Sequence, residues 1–214
     1  MIYKFPELAD LRFVRRLGGT TGPVLVQDID GQKFVLKSTA TGKVSAGHLR
    51  SEVAADTMYR NLGVDVPPSA LVEGADGSIN RISVYLEGGE ELREWLKKAT
   101  PKMKKQMFYK IQKGFVADAL LANWDSIGLA QDNIVIKNSK PYRVDNGGAL
   151  SYRAQGAPKG VAFSGNKIGE FETLRSVTMN PRAHEVFNSI LPEQIDHQIK
   201  EILANPNRVM KDVA

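Results

Sequence analysis

The chain has 214 residues, of which 42% are apolar and 25% charged, and its formal net charge is +5. This composition is ordinary for a globular protein of one two-lobed domain or two small domains, with enough apolar residues for a substantial core. The absence of cysteine excludes disulfides, thiolate catalysis and cysteine-based zinc sites. No apolar run reaches the length of a membrane span, and the first residues do not resemble a signal peptide. The sequence therefore predicts a cytoplasmic protein, and delivery into another cell by a dedicated machine stays compatible with it.

The first forty residues predict an antiparallel β unit. Apolar runs at 11–14, 24–27 and 33–37 are typical of strands, and an Asp-x-Asp-Gly turn joins the last two. A glycine-rich connection joins the first two, and glycines let backbone N–H groups approach an anion closely, although most such hairpins are only turns. The pattern is neither a Walker A nor a Rossmann fingerprint, because no Gly-Lys-Ser/Thr follows and the next element is a strand. The connection consists of Gly18, Gly19, Thr20, Thr21 and Gly22.

Lys37, at the end of the third predicted strand, has a candidate partner in the helix that follows. The preceding run 34–36 is apolar, and a lysine at its end either pairs with an anion or reaches water. In the predicted helix 48–62, Glu52 shares a stripe with apolar residues at helical spacing. A carboxylate on such a stripe is destabilising unless it is paired. We therefore expect Glu52 to pair with Lys37, and the alternative is an exposed Glu52 paired with Arg50.

A boundary between two regions is predicted near the middle of the chain. Two further strands, 70–73 and 79–86, come before the flexible-looking link Glu87-Gly88-Gly89-Glu90. This link divides an N-terminal region, residues 1–87, from a C-terminal region, residues 88–214.

The second region opens with helices. A short helix at 91–98 is followed by a long one, with Thr100 as its N-cap, Pro101 in its first turn and an apolar stripe that runs to Leu120. Lysines cluster here with little aromatic interleaving, which indicates a solvated helix face and gives no specific nucleic-acid signal.

Polar side chains collect at one end of a hairpin predicted further along. Its strands are the runs 134–136 and 142–144; Asn133 directly precedes the first and Asp145 follows the second, while Asp125 lies eight residues before Asn133. Oxygen ligands of this kind suit Mg²⁺, which usually keeps substrate phosphates in its coordination shell. Asp, Asn and Gly at strand ends are also ordinary turn residues, so turn chemistry is the alternative.

The remaining chain carries weaker signals. A polar, glycine-rich stretch from Ser151 to Gly165 is long enough to be a mobile loop on the substrate side. Two or three helices follow, at about 169–176, 181–190 and 192–204.

The order of these parts resembles the protein-kinase-like fold. A glycine-rich hairpin, a strand lysine, a helix glutamate, a hinge, a long helix, an aspartate, an asparagine that begins a strand and an Asp-x-Gly after the next strand follow one another as in that fold. The segment 132–136 (DNIVI) is similar to the asparagine and strand of a kinase catalytic loop, and 142–147 (YRVDNG) is similar to the strand that enters a D-F-G motif. Over residues 11–150 the chain looks most like the atypical branch, which includes phosphatidylinositol-kinase-like, HipA-like and actin-fragmin-kinase families and compact bacterial effector kinases.

The resemblance implies an α+β, bilobal fold with an antiparallel sheet and one helix in the N-terminal lobe and a shortened helical C-terminal lobe. It implies that the glycine-rich loop covers the phosphates of ATP, while Lys37, held by Glu52, contacts the α- and β-phosphates. Asp125 is then the residue that orients or deprotonates the acceptor hydroxyl, and Asn133 and Asp145 are the Mg²⁺ ligands. The implied ATP contacts are Gly18, Gly19, Thr20, Thr21, Gly22, Lys37, Glu52 and Glu87.

The implied function is ATP- and Mg²⁺-dependent transfer of the γ-phosphate to a hydroxyl. A protein of unknown identity is favoured over a small molecule as the acceptor. Departures from the pattern keep alternatives open. The separation of Asp125 from Asn133 exceeds that of a usual catalytic loop, and Asp132 is a rival base or metal ligand. No His-Arg precedes Asp125, so switching by loop phosphorylation is not expected. No A-P-E-like motif follows Asp145, so the peptide-docking part of a eukaryotic kinase is not expected either. A pseudokinase or adaptor, and a transferase of AMP, are the alternative functions.

Overall fold

The computed structural model describes residues 3–163 and 167–213 and has an α+β architecture. Within those ranges, eight strands form two antiparallel sheets, accompanied by seven α-helices. The strands are β1 (Arg12–Arg16), β2 (Val24–Gln27), β3 (Lys33–Ser38), β4 (Ser69–Glu73), β5 (Ile79–Val84), β6 (Glu90–Glu91), β7 (Ile134–Lys137) and β8 (Lys140–Arg143). The helices are α1 (Ala46–Asn61), α2 (Leu92–Lys98), α3 (Pro101–Gln112), α4 (Phe115–Leu120), α5 (Glu170–Thr173), α6 (Pro181–Phe187) and α7 (Pro192–Ala204).

The larger sheet has the strand order β1-β2-β3-β5-β4, and α1 packs against β4 and β5. In the register of β3 with β5, Lys37 lies opposite Arg81. The N-cap of α1 is Ser45, whose hydroxyl accepts a hydrogen bond from the backbone N–H of His48 at 3.1 Å. The cap fixes where α1 begins, and its packing brings Glu52 beside Lys37.

The smaller sheet has the order β6-β7-β8 and contains the predicted hairpin. Asn138 and Ser139 form its turn with φ of 51° and 58°, the left-handed geometry of a type I′ turn that suits the twist of a hairpin. The end of the predicted link adds a strand that the sequence did not predict, because β6 pairs with β7. The link thus leads from β5 of the larger sheet into β6, the first strand of the smaller one.

The prediction of one long helix up to Leu120 is wrong, because the chain breaks between α3 and α4 at Lys113 and Gly114. The Ile111 carbonyl accepts hydrogen bonds from the Gly114 N–H at 3.0 Å and from Nη2 of Arg143 at 3.3 Å. A Cβ on Gly114 would lie only 3.0 Å from the same Nη2. The break accommodates a buried arginine that comes from a distant strand.

The apolar core has a part that joins α1 to the helices of the second region. Buried residues of α1 pack with residues of α4 and of the segment after β8: Ala55, Met58, Tyr59, Ala117, Leu121 and Ala149. Separate buried clusters fill the larger sheet and the space among α2, α3, α4 and α6. None of the helices in the described ranges has both the length and the apolar character needed to cross a membrane.

Candidate functional site

A cavity of about 910 Å³ collects most of the predicted site residues. One wall comes from the glycine-rich connection, β3 and β5, and the other from the segments before β7 and after β8. Lys37 and Asp145, which are 108 residues apart in the chain, meet there. The predicted residues that line it are Gly18, Gly19, Thr20, Thr21, Lys37, Asp125, Asn133 and Asp145.

Lys37 is held between two carboxylates. Its Nζ donates to Oε1 of Glu52 at 2.7 Å and to Oδ1 of Asp145 at 3.1 Å. The Lys37 and Glu52 side chains are 4% and 0% exposed, whereas Asp145 is 46% exposed and faces the cavity. Burial by itself lowers the pKa of Lys37, but Asp145 and Glu52 raise it more, so its pKa lies above the ordinary value. Lys37 is therefore a fixed cation, and the pairing of Glu52 with exposed Arg50 is wrong.

A second buried cation, Arg81, supports this pair, and sequence reasoning missed it. Its Nε lies 3.4 Å from Oε1 of Glu52, and its Nη2 donates to Oδ2 of Asp56 at 2.6 Å. Burial lowers the pKa of Arg81, but Asp56 and Glu52 raise it more, so the guanidinium stays charged. The one signal in the sequence was helical spacing, because Asp56 follows Glu52 by one turn of α1.

Asp145 stays ionised at the floor of the cavity. Its Oδ1 accepts from Lys37 and from the backbone N–H of Gly147, the latter at 3.2 Å. Burial raises the pKa of Asp145, but Lys37, the Gly147 N–H and Arg81 together hold it below the ordinary value. Oδ2 takes part in neither hydrogen bond, and the side chain lines the cavity.

Asn146, which follows Asp145 and stands at the position compared above with the phenylalanine of a D-F-G motif, is hydrogen-bonded to α1. Its Nδ2 donates to Oδ1 of Asp56 at 2.8 Å, and its Oδ1 accepts from Asn123 at 3.4 Å. An apolar side chain in this position would leave these buried polar groups without partners. The polar side chain of Asn146 is thus matched by polar neighbours.

Asp125 and Asn133 lie side by side despite their long separation in the sequence. The Nδ2 of Asn133 donates to the Asp125 backbone carbonyl at 2.7 Å and to its Oδ2 at 3.2 Å. Gly128 folds the intervening loop, with φ of +81° and its N–H bonded to the same carbonyl at 3.0 Å. A Cβ on Gly128 would lie 2.3 Å from Oδ1 of Asp132, so the loop needs a glycine there.

Asp125 has the protonation equilibrium of a residue that can exchange a proton near neutral pH. Burial raises its pKa, the charges of Asp145 and Asp132 raise it further, and the hydrogen bond from Asn133 offsets part of this, which gives a pKa of about 6. A general base works best when its pKa lies near the working pH. Asp132 also lines the cavity and is the alternative candidate for the base.

The loop that carries Asp125 is anchored to α6 by Asn180, a residue whose contact the sequence did not reveal. Its Nδ2 donates to the Trp124 carbonyl at 2.7 Å, while its Oδ1 caps α6 by accepting from Ala183 N–H at 3.1 Å. The side chain is buried. The sequence marked Asn180 only as the residue before a helix.

The donor set fits a divalent cation when asparagine and substrate oxygens are included. The hydrogen bonds of Asn133 use only Nδ2, which leaves its amide oxygen for a ligand, and Oδ2 of Asp145 is similarly placed. In the described ranges, no three histidine or acidic side chains are grouped closely enough to hold an ion by themselves. Mg²⁺ commonly takes one or two protein oxygens and completes its shell with phosphates and water.

Some predicted residues lie outside the cavity lining. Glu52 is buried behind Lys37, and Gly22 is covered by the stem of Lys43, whose Cδ would lie 2.9 Å from a Cβ there. Glu87 is 61% exposed, and its carboxylate pairs with Lys33 at the edge of the larger sheet. These positions shape or flank the site, and the Glu87 side chain is not brought to it.

Sequence comparison matches the chain to no family model and to no curated protein. The chemistry of the site depends on four groups that share one cavity. They are the fixed ammonium of Lys37, the ionised carboxylate of Asp145, the amide oxygen of Asn133 and the carboxylate of Asp125, with a pKa of about 6.

Proposed function

We propose that the chain is an ATP- and Mg²⁺-dependent phosphotransferase with a bilobal, protein-kinase-like fold, which moves the γ-phosphate of ATP to a hydroxyl on a protein. The observation that carries this proposal is the contact of Lys37 with both Glu52 and Asp145 in a cavity that also contains Asp125 and Asn133. Phosphoryl transfer depends mainly on positioning and on neutralising negative charge, and this set of groups supplies both.

Lys37 supplies charge to the α- and β-phosphates. Glu52, which also contacts Arg81, holds the position of Lys37 before the nucleotide arrives, so little reorganisation is needed during the reaction. The glycine-rich connection offers backbone N–H groups above the same phosphates, with Gly19 at φ of +112°. These residues bind and orient the triphosphate.

Asp125 accepts the proton of the acceptor hydroxyl. As the bond between that oxygen and the γ-phosphorus forms, the bond from the γ-phosphorus to the β-phosphate oxygen breaks and ADP leaves. The pKa of about 6 keeps most of Asp125 in its carboxylate form at neutral pH. Asn133 fixes the orientation of the carboxylate through Oδ2.

Asn133 and Asp145 are the residues that hold Mg²⁺ in this proposal. When bound, the ion neutralises charge on the β- and γ-phosphates and on the leaving ADP. The chain contributes an oriented amide oxygen and a carboxylate kept ionised by Lys37.

The test compares Asp145→Asn with the control Asp30→Asn, an exposed residue in the turn between β2 and β3. We expect Asp145→Asn to reduce phosphate transfer by about 10²–10³-fold or more, because an electrostatic group at the reacting centre is lost. Asp30→Asn should keep wild-type activity. Transfer is followed with radiolabelled ATP and by intact mass of the product. Equal activity in both variants would rule out the proposed role of the site.

Two other outcomes would assign a different function. Stabilisation by ATP–Mg²⁺ in thermal unfolding without any transfer would indicate a pseudokinase or adaptor. A product that gains the mass of AMP in place of a phosphoryl group would indicate a nucleotidyl transferase.

A further inference from the structure

Residues 151–159 form a closed hairpin at the mouth of the cavity. The N–H of Lys159 bonds the Ser151 carbonyl and the N–H of Arg153 bonds the Ala157 carbonyl, both at 2.8 Å. A bridge joins Tyr152 to Pro158 between these bonds. This part of the predicted loop Ser151 to Gly165 is therefore hydrogen-bonded, and its last two residues lie outside the described ranges.

Two anchors fix the hairpin to the rest of the site. The Nζ of Lys159 donates to the carbonyls of Ala122 at 2.6 Å and Gly148 at 2.8 Å. On the other side, the ring of Tyr152 stacks on His48 of α1 with centroids 5.1 Å apart. Burial lowers the pKa of Lys159 to about 8; Glu170 opposes this shift, and charge repulsion from Arg153 adds to it. The hairpin is thus held against both walls.

The hairpin lies directly beside the proposed base. A Cβ on Gly148 would lie 3.4 Å from Cβ of Asp125 and 3.5 Å from Cβ of Ala154, so only Gly148 separates these two residues. Arg153 and Gln155, on either side of Ala154, also line the cavity. The hairpin therefore forms the wall next to the place where the acceptor hydroxyl has to lie.

Among the described residues, Arg153 is an unpaired cation in the part of the cavity wall next to Asp125. Lys37, Arg81 and Arg93 pair with carboxylates and Lys159 bonds carbonyls, whereas within the described ranges the guanidinium of Arg153 has no hydrogen bond or ion pair. Arg15 is also exposed and unpaired in those ranges, but it lies on β1, beside the glycine-rich connection. Arg153 is exposed, and the neighbouring Lys159 raises the local positive potential. A guanidinium offers paired N–H donors that match a carboxylate or a phosphate group.

We propose that the acceptor is a peptide segment with an anionic group, a carboxylate or a phosphate, close to the modified hydroxyl, and that Arg153 binds this group. The inference rests on the proposed function of the site and adds the chemical class of its substrate. The anion supplies the partner that Arg153 lacks in the free protein, and the anchored hairpin holds the guanidinium at a fixed distance from Asp125.

Phosphate transfer to matched peptides tests the specificity. Peptides carry one serine flanked by Asp, by phosphoserine, by Gln or by Lys; Arg153→Glu is compared with Arg12→Glu, an exposed arginine on β1 outside the cavity. A charge-assisted hydrogen bond corresponds to about tenfold or more in affinity, so we expect wild type to favour the anionic peptides by at least that factor. Arg153→Glu should reverse the preference, and Arg12→Glu should retain it. The ratio between the Asp and phosphoserine peptides identifies which anion is preferred.

Direct binding separates this inference from the function itself. Anisotropy of the labelled peptides is measured with the full chain, with and without ATP–Mg²⁺. Tighter binding of anionic peptides that is lost in Arg153→Glu supports the inference even if no phosphate is transferred, in which case the proposed function alone fails. Transfer without any preference for anionic peptides overturns the inference and leaves the function standing. An increase in the KM for ATP in Arg153→Glu, without a change in peptide preference, also overturns it, because Arg153 then binds the nucleotide.

Discussion

Two buried ion networks include residues of α1 and differ in whether they are closed. In the first, Arg143 donates to both oxygens of Asp118 at 2.8 and 2.5 Å, and Tyr59 donates to the same carboxylate at 3.0 Å, with every member buried. In the second, Lys37 and Arg81 share Glu52, but the chain of contacts ends at Asp145, which is half exposed to the cavity. In the first network every charge is paired within the protein, whereas in the second Asp145 keeps a carboxylate oxygen for a ligand.

The networks are joined through two asparagines, so the closed one positions the open one. Asn123 donates to the Tyr59 hydroxyl at 3.0 Å and to Asn146 at 3.4 Å, and Asn146 donates to Asp56 beside Arg81. Asn123 lies two residues before Asp125, as Arg143 lies two residues before Asp145. Similar buried ion pairs can therefore serve two purposes. Where every charge is paired within the protein they act as a scaffold, and where a half-exposed carboxylate ends the network they can bind a ligand.

Breaking the closed network should have the largest effect, on stability. In Arg143→Met the Asp118 carboxylate remains buried without its cation, and we expect the free energy of unfolding to fall by about 3–5 kcal/mol. Urea unfolding measures this. The double variant Asp118→Leu/Arg143→Met removes both charges and should recover most of the loss. A single variant that loses less than about 1 kcal/mol, as a surface substitution does, would contradict the scaffold role.

Breaking the open network should instead affect activity more than stability. In Lys37→Met, Glu52 keeps Arg81 at 3.4 Å, so no buried charge is left alone and the loss of unfolding free energy should be about 1–2 kcal/mol. The rate of phosphate transfer should fall by about 10²–10³-fold, because the fixed cation at the phosphates is gone. Steady-state kinetics and urea unfolding on the same preparation give both numbers. The comparison fails if Lys37→Met unfolds as readily as Arg143→Met while folded molecules keep their activity.

The pH dependence distinguishes the two networks because Asp145 of the open network helps to raise the pKa of Asp125, the proposed base, to about 6. The proposed base is active as a carboxylate, so kcat should fall as the pH drops below the pKa of Asp125, which is about 6 without the metal ion, and should be flat above it. Mg²⁺ favours the carboxylate form, so adding it should move the pKa of Asp125 below 6. Carboxyl-carbon NMR of Asp125 measures that shift without turnover, and Asp125→Asn assigns the signal. A pKa that does not respond to Mg²⁺ would place the ion elsewhere.

Local signals in the sequence account for what could be predicted. The type I′ hairpin, the strand end at Lys37 and the stripe that holds Glu52 are all set by residues within a few positions of one another. The pairing of Lys37 with Glu52 followed because a buried carboxylate needs a cation and Lys37 ends an apolar strand shortly before the helix.

Contacts between distant segments account for the features that could not be predicted from the sequence. The break at Gly114 depends on Arg143. The contacts of Arg81 depend on the register of β5 with β3 and on the packing of α1. Neither leaves a local pattern, because an arginine in a strand is usually exposed. The sequence placed Asn180 directly before a predicted helix, which is local, but did not indicate its hydrogen bond to Trp124.

That hydrogen bond gives the smallest effect, because Asn180 belongs to neither network and holds the Asp125 loop by one contact. Asn180→Ser keeps a side-chain oxygen to cap α6 but cannot reach Trp124 with an N–H, so kcat should fall about tenfold while the KM for ATP and the unfolding free energy change little. Asn180→Ala removes both bonds and should cost about 1 kcal/mol of stability in addition. If kcat falls in the alanine variant only, the cap alone matters; if it falls equally in both, the loop that presents Asp125 depends on a donor outside both ion networks.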